Sequence, residues 1–194
     1  GAAKNKLAIV SQASRLQNSH LSLRFHPFSK HINRVEPRGI LYKNALRARL
    51  PNNLTKSLVS RPVLNCGVYA LNVKAPHWKY WQYWQDLCLK KGRVFTSDQL
   101  SLALAVDQNK LGVELLPDIC NFLDPPVWRY NSKQRYFTDL YIPYEPISII
   151  HLAGMHNKLD PNMTVPCIDQ FDQQHMRKIH YHHSIRDKEP EAII

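Results

Sequence analysis

Three groups of residues in this chain have the types and spacing to do chemistry. They are Asn65 and Gly67 in the run Leu64-Asn65-Cys66-Gly67-Val68-Tyr69-Ala70, the pair Asp98-Gln99 after Ser97, and His151, Gly154 and Lys158 in His151-Leu152-Ala153-Gly154-Met155-His156-Asn157-Lys158. Each group stands at the end of an apolar run or at the start of a helical pattern, where open α/β sheets bind ligands. The third is the sharpest. It is an H-x-x-G-x-x-K pattern that follows a β-branched run, so one loop holds an imidazole, a permissive backbone and an ammonium. Imidazole is a metal ligand, glycine lets backbone amides face an anion, and lysine neutralises phosphate as a point charge. Metal plus phosphate is the chemistry this combination suits. Each group also has a plainer reading: Asp98 as an acid in the first turn of a helix, Gly67 as a break in a strand, His151 as a surface histidine.

These residues need elements to position them. Leu7 to Val10 reads as a short buried strand, and Ser11 to Arg61 is irregular, with a short helix over 40–50. Val63 to Val73 reads as a strand, with Gly67 where another backbone or a ligand comes close. Pro76 opens an amphipathic helix whose Trp78, Trp81, Trp84, Leu87 and Cys88 face a core, so these tryptophans are given no binding role. A second helix runs from a cap at Thr96 or Ser97 to Gln108, with Leu100, Ala103 and Leu104 inward. Val113 to Pro117 is a strand candidate, and Ile147 to Ile150 is the strand that delivers His151, expected in one mixed sheet with the strand at Asn65. A helix is expected over 168–180, followed by a polar tail. His175, His180, His182 and His183 lie there, but nothing nearby completes a metal site. Strands alternating with helices give an α/β class, a mixed sheet with flanking helices.

The order of the three groups resembles the C-terminal half of a retaining nucleotide-sugar glycosyltransferase of the GT-A fold, family eight and its relatives. The resemblance covers about Leu7 to Lys158, and on it rests a division into a GT-A portion over 1–165 and a helix and tail over 166–194. It implies transfer of a hexose from a nucleotide diphosphate sugar, UDP-hexose above all, to a hydroxyl of a glycan or other acceptor. Asp98 and Gln99 would then lie against the donor sugar as the catalytic pair, with Asn65 and Gly67 binding that sugar. Gly154 and Lys158 would hold its phosphates, and His151 would ligate Mn²⁺ or Mg²⁺. The family often carries a second acid after Gln, where this chain has Leu100. It also binds its metal chiefly through an Asp-x-Asp in an earlier strand, and no Asp-x-Asp occurs in this sequence. The resemblance therefore implies a GT-A domain without its nucleotide-binding half, inactive alone, with that half as a partner.

Composition supplies the rival. The formal net charge is +11, and the excess is one-sided: residues 1 to 74 hold 13 of the 26 Lys and Arg with the single acid Glu36. Such a segment suits a polyanion, and Phe25, Phe28 and Tyr42 among its cations would suit stacking on bases. A non-catalytic basic domain that binds nucleic acid or an anionic surface is the alternative function. No apolar stretch reaches the roughly 18 residues of a membrane span. The four cysteines lack C-x-x-C spacing, and buried free thiols place the chain in a reducing cytoplasm, with peripheral contact to a membrane surface open to the basic third.

Overall fold

The computed structural model describes residues 6–11, 37–123, 127–140, 142–152, 160 and 162–179, in an α/β arrangement that divides into two compact units. The first unit takes the chain up to Leu123 together with Ser148–His151, and the second takes the rest.

The unalternating apolar run at Leu7 is explained by its position in the first unit. Strand β1 (Lys6–Ser11) is the middle of a three-stranded sheet of order β2-β1-β3, and Leu7, Ala8, Ile9 and Val10 are all buried. A strand covered on both faces loses the polar alternation of an edge. Strand β2 (Leu64–Ala70) runs antiparallel to β1, while β3 (Gly112–Leu116) is parallel, with Leu7 opposite Val113 and Val10 opposite Leu116. The sheet is mixed, as expected.

Among the described residues four α-helices complete this unit: α1 (Pro37–Arg47), α2 (Asn52–Ser57), α3 (His77–Leu89) and α4 (Ser97–Gln108). Helix α4 is buried from Leu100 through Ala105 and separates two cores. Leu102 packs with Leu7, Ile9 and Leu64 on the sheet, whereas Leu100, Ala103 and Leu104 pack with Leu41 and Ala45 of α1 and Cys88 of α3. Helix α3 lies at the margin of both cores, so its tryptophans are not interior as the periodicity suggests. Trp81 and Trp84 are half-buried and Trp78 is 38% exposed. Each indole N–H finds an acceptor: Asn72 O for Trp78, Asp98 O for Trp81, Asn109 Oδ1 for Trp84. An indole at a margin gains that bond, which a fully apolar core would deny it.

The strand that delivers His151 does not join the main sheet. Strand β7 (Ile150–His151) pairs in parallel with β4 (Phe122–Leu123) in a separate two-stranded sheet. Proline at position 117 has no N–H to extend β3, and a 3₁₀ turn (Asp118–Asn121) re-aims the chain there. The amides of Ser148 and Ile149 then donate to Ile119 O, and that of Phe122 to Ile149 O.

The second unit holds a four-stranded sheet of order β6-β5-β8-β9, built from β5 (Trp128–Asn131), β6 (Tyr136–Thr138), β8 (Thr164–Asp169) and β9 (Gln174–Lys178). The helix expected over 168–180 is a hairpin instead. Along β8, Val165, Cys167 and Asp169 are buried while Thr164 and Pro166 are exposed, a period of two. Asp169 accepts hydrogen bonds from the amides of Phe171 and Gln173 at 2.8 and 2.9 Å, so its carboxylate closes a turn where a helix would have continued. Among the described residues no helix is long and apolar enough to cross a membrane, and Cys66, Cys88, Cys120 and Cys167 are free, the first and third only half-buried.

Candidate functional site

The register between β1 and β2 breaks beside the first group. Ile9 faces Tyr69 and Ser11 faces Leu64, so the stretch of β2 between those partners is longer than the stretch of β1 it opposes. The extra residues bulge out at the carboxyl end of the parallel strands, and Asn65, Cys66 and Gly67 lie among them. The amide of Gly67 donates to Asn65 Oδ1 at 2.9 Å, and the Asn65 side chain is buried. Asparagine two residues before the glycine thus supplies an acceptor where the strand ladder is disturbed.

Gly67 has no side chain because His151 occupies the space. A Cβ built on Gly67 would lie 1.9 Å from Cε1 and 2.4 Å from Nδ1 of the His151 ring. The close approach read from the sequence is therefore made by the chain's own imidazole. His151 Nδ1 lies 2.9 Å from Asn121 Oδ1. The Asn121 side chain thus holds the imidazole in its orientation over Gly67. Asn121 is buried in the 3₁₀ turn after β3, and its Nδ2 has no hydrogen-bond partner among the described residues. No motif marks Asn121 in the sequence.

Asp98 opens helix α4 after Thr96, which has a positive φ of 67°. Its carboxylate makes no hydrogen bond or ion pair among the described residues and is exposed. Burial, and then the negative charge of Asp98, push the Cys66 thiol far above its ordinary range. That thiol stands between Asn65 and Gly67 in sequence, so the field of Asp98 reaches the bulge. Gln99 is half-buried at the start of the same helix. Leu100, where the resembling family often has an acid, is fully buried in the helical core, and a carboxylate there would be desolvated.

Beside Asp98 opens a groove of about 400 Å³, lined by Tyr69, Trp78, Trp81, Gln82 and Gln85 as well as Asp98. The planes of Trp78 and Trp81 are 16° from parallel with centroids 5.9 Å apart, and Tyr69 stands edge-on to both at 60° and 72°. In the sequence these rings read as core, because an aromatic stripe at helical spacing usually is. Their one distinguishing signal is that Tyr69 lies two residues after Gly67 on the strand facing α3.

The structure thus brings Asn65, Gly67 and His151 together, while Asp98 lines a groove with Tyr69 of β2. Gly154 and Lys158 lie outside the described residues. A divalent cation does not fit the described residues as a complete site. His151 offers one imidazole, and among the described residues no three His, Cys, Asp or Glu side chains gather around a common point. His175 is bonded instead to Asp169, Nε2 to Oδ2 at 2.9 Å, and His180, His182 and His183 lie outside the described residues. No protein-family model, curated protein or solved structure matches this chain.

Proposed function

We propose that the first unit is the sugar-binding portion of a cytoplasmic nucleotide-sugar glycosyltransferase that moves a hexose to an acceptor hydroxyl with retention. The observation that carries this reading is the seating of the His151 ring on Gly67. Two motifs far apart in sequence, each placed by resemblance in a donor site, meet at the carboxyl end of parallel strands, where α/β sheets hold ligands. In this reading His151 stands at the edge of the donor-sugar site, the buried Asn65 holds the bulge at Gly67 beneath it, and Asp98 stabilises positive charge at the anomeric carbon of the donor. The bond from that carbon to the diphosphate oxygen breaks, the acceptor oxygen bonds to the carbon, and the acceptor proton passes to the departing diphosphate oxygen. Gln99 orients the sugar beside Asp98, and Gly154 and Lys158 take the diphosphate. A divalent cation belongs to this proposal with donors beyond His151 coming from outside the described residues, including a nucleotide-binding half.

The test is saturation-transfer NMR of UDP-glucose and UDP-galactose with the full chain and with His151→Asn. Saturation of the hexose protons that weakens about tenfold in the variant is the expected result, a loss of the size of one hydrogen bond to a charged or polar ligand group. Saturation that is absent, or equal in both proteins, rules the reading out. The rival, a basic domain for nucleic acid, draws on the charge of residues 1–74. Of those, 1–5 and 12–36 lie outside the described residues.

A further inference from the structure

We infer that the groove between β2 and α3 binds a neutral pyranose ring, stacked on Trp78 and Trp81 with a hydroxyl donating to Asp98. Its role as the acceptor ring rests on the transfer reading above. Its existence as a saccharide site does not.

Three observations select this occupant. The first is shape: two near-parallel indoles and a perpendicular phenol form an apolar corner, and about 400 Å³ is within the range of small-ligand sites, roughly 300–1,000 Å³. Aromatic faces are electron-rich, so they suit the weakly positive C–H face of a sugar ring. The second is preorganisation. The Trp81 N–H is held by Asp98 O and Ser101 Oγ, and the Trp78 N–H by Asn72 O, so the rings do not have to be ordered by the ligand. The third is charge. The lining holds one carboxylate and no cation, in a chain of net charge +11. A phosphate or a sugar acid would meet the Asp98 charge with no cation to offset it, whereas a hydroxyl finds an acceptor in Asp98 that no described residue occupies, with the Gln82 amide on the same wall.

The same charge argument orders the two rings of a transfer reaction. The donor sugar is tied to a diphosphate that needs cations, which this groove lacks. The groove therefore takes the other ring, with Asp98 on its lining.

The four tryptophans make the test spatially resolved. In ¹⁵N–¹H spectra of the full chain, lactose, cellobiose or maltose should shift the indole signals of Trp78 and Trp81 saturably, leaving those of Trp84 and Trp128 in place. Trp78→Ala should weaken that binding at least about tenfold, the loss of one stacked ring. Asp98→Asn should weaken it several-fold and let digalacturonate bind. Three results overturn the inference: no shift at high millimolar disaccharide, shifts confined to Trp84 or Trp128, or shifts at Trp78 and Trp81 with tetramethylammonium chloride and none with sugar. Disaccharide binding without any UDP-hexose binding would leave the groove standing and remove the transferase. UDP-hexose binding sensitive to His151, with a groove inert to sugars, would do the reverse.

Discussion

A methyl group at position 67 would stand 2.7 Å from Nε2 of His151 as well as against Cε1 and Nδ1, so the whole imidazole would have to leave. Gly67→Ala should therefore cost about 1–3 kcal/mol in urea unfolding, the range for overpacking a filled site. The cost belongs to the pair and not to the strand. In a His151→Ala background the same change should be much cheaper, with a coupling of about 0.5–3 kcal/mol. Equal costs in both backgrounds would show that strain in β2, and not the ring, forbids the side chain. Cys66 gives a second readout at this scale. Its thiol is raised by burial first and by Asp98 second, so Asp98→Asn should quicken alkylation of Cys66 by iodoacetamide at pH 8 by a few-fold. Mass-spectrometric peptide mapping that finds the Cys66 rate unchanged would remove Asp98 from the neighbourhood of the bulge. The glycine was legible in the sequence as a place of close approach. What approaches it was not, because a spacing of 84 positions carries no distance.

Hairpin β8–β9 shows what periodicity can and cannot decide. Ile168, Phe171 and His175 fall at helical intervals, yet Val165, Cys167 and Asp169 alternate inward, and the tie is broken by one carboxylate. Burial opposes the charge on Asp169, but the amides of Gln173 and Phe171 and the ring of His175 outweigh it and hold its carboxyl below the ordinary range. A lowered native value means that ionised Asp169 stabilises the folded hairpin at every pH above the unfolded carboxyl value, about 3.9. That contribution fades as pH falls from there through the lower native value. Amide exchange at Phe171 and Gln173 should accordingly accelerate in acid, and Asp169→Asn should remove the acid dependence while leaving the hairpin weaker at neutral pH. Unchanged exchange in the variant would mean that the strand pairing alone sets the turn. Most other elements were legible: β1, β3, α3 and α4 stand within a residue or two of where pattern and caps put them, and β2 ends at Ala70, three residues short of the expected Val73. Strand β7 pairs with β4 and not with the main sheet, because pairing over long separations depends on where Pro117 turns the chain, which no local pattern records.

At the scale of the whole molecule the excess positive charge is concentrated in residues 1–74, while the groove beside Asp98 is lined without a cation. Polyanion binding through that segment and sugar binding in the groove therefore separate by salt. Affinity for a 20-nucleotide single strand should fall by about 300-fold or more between 50 and 200 mM salt if six or more phosphates are neutralised. Disaccharide shifts at Trp78 should not move over the same range. A sugar response as steep as that of the oligonucleotide would place ions in the groove after all. One consequence of the sheet order concerns the time in which the chain is made. Strand β1 is synthesised first of its sheet, yet Leu7 must wait for Val113 to gain its parallel neighbour. At about 5–20 residues per second that wait is on the order of 5–20 s. For that interval the most buried strand of the unit is an unpaired apolar edge on the nascent chain, the segment on which a ribosome-bound chaperone would be expected to act.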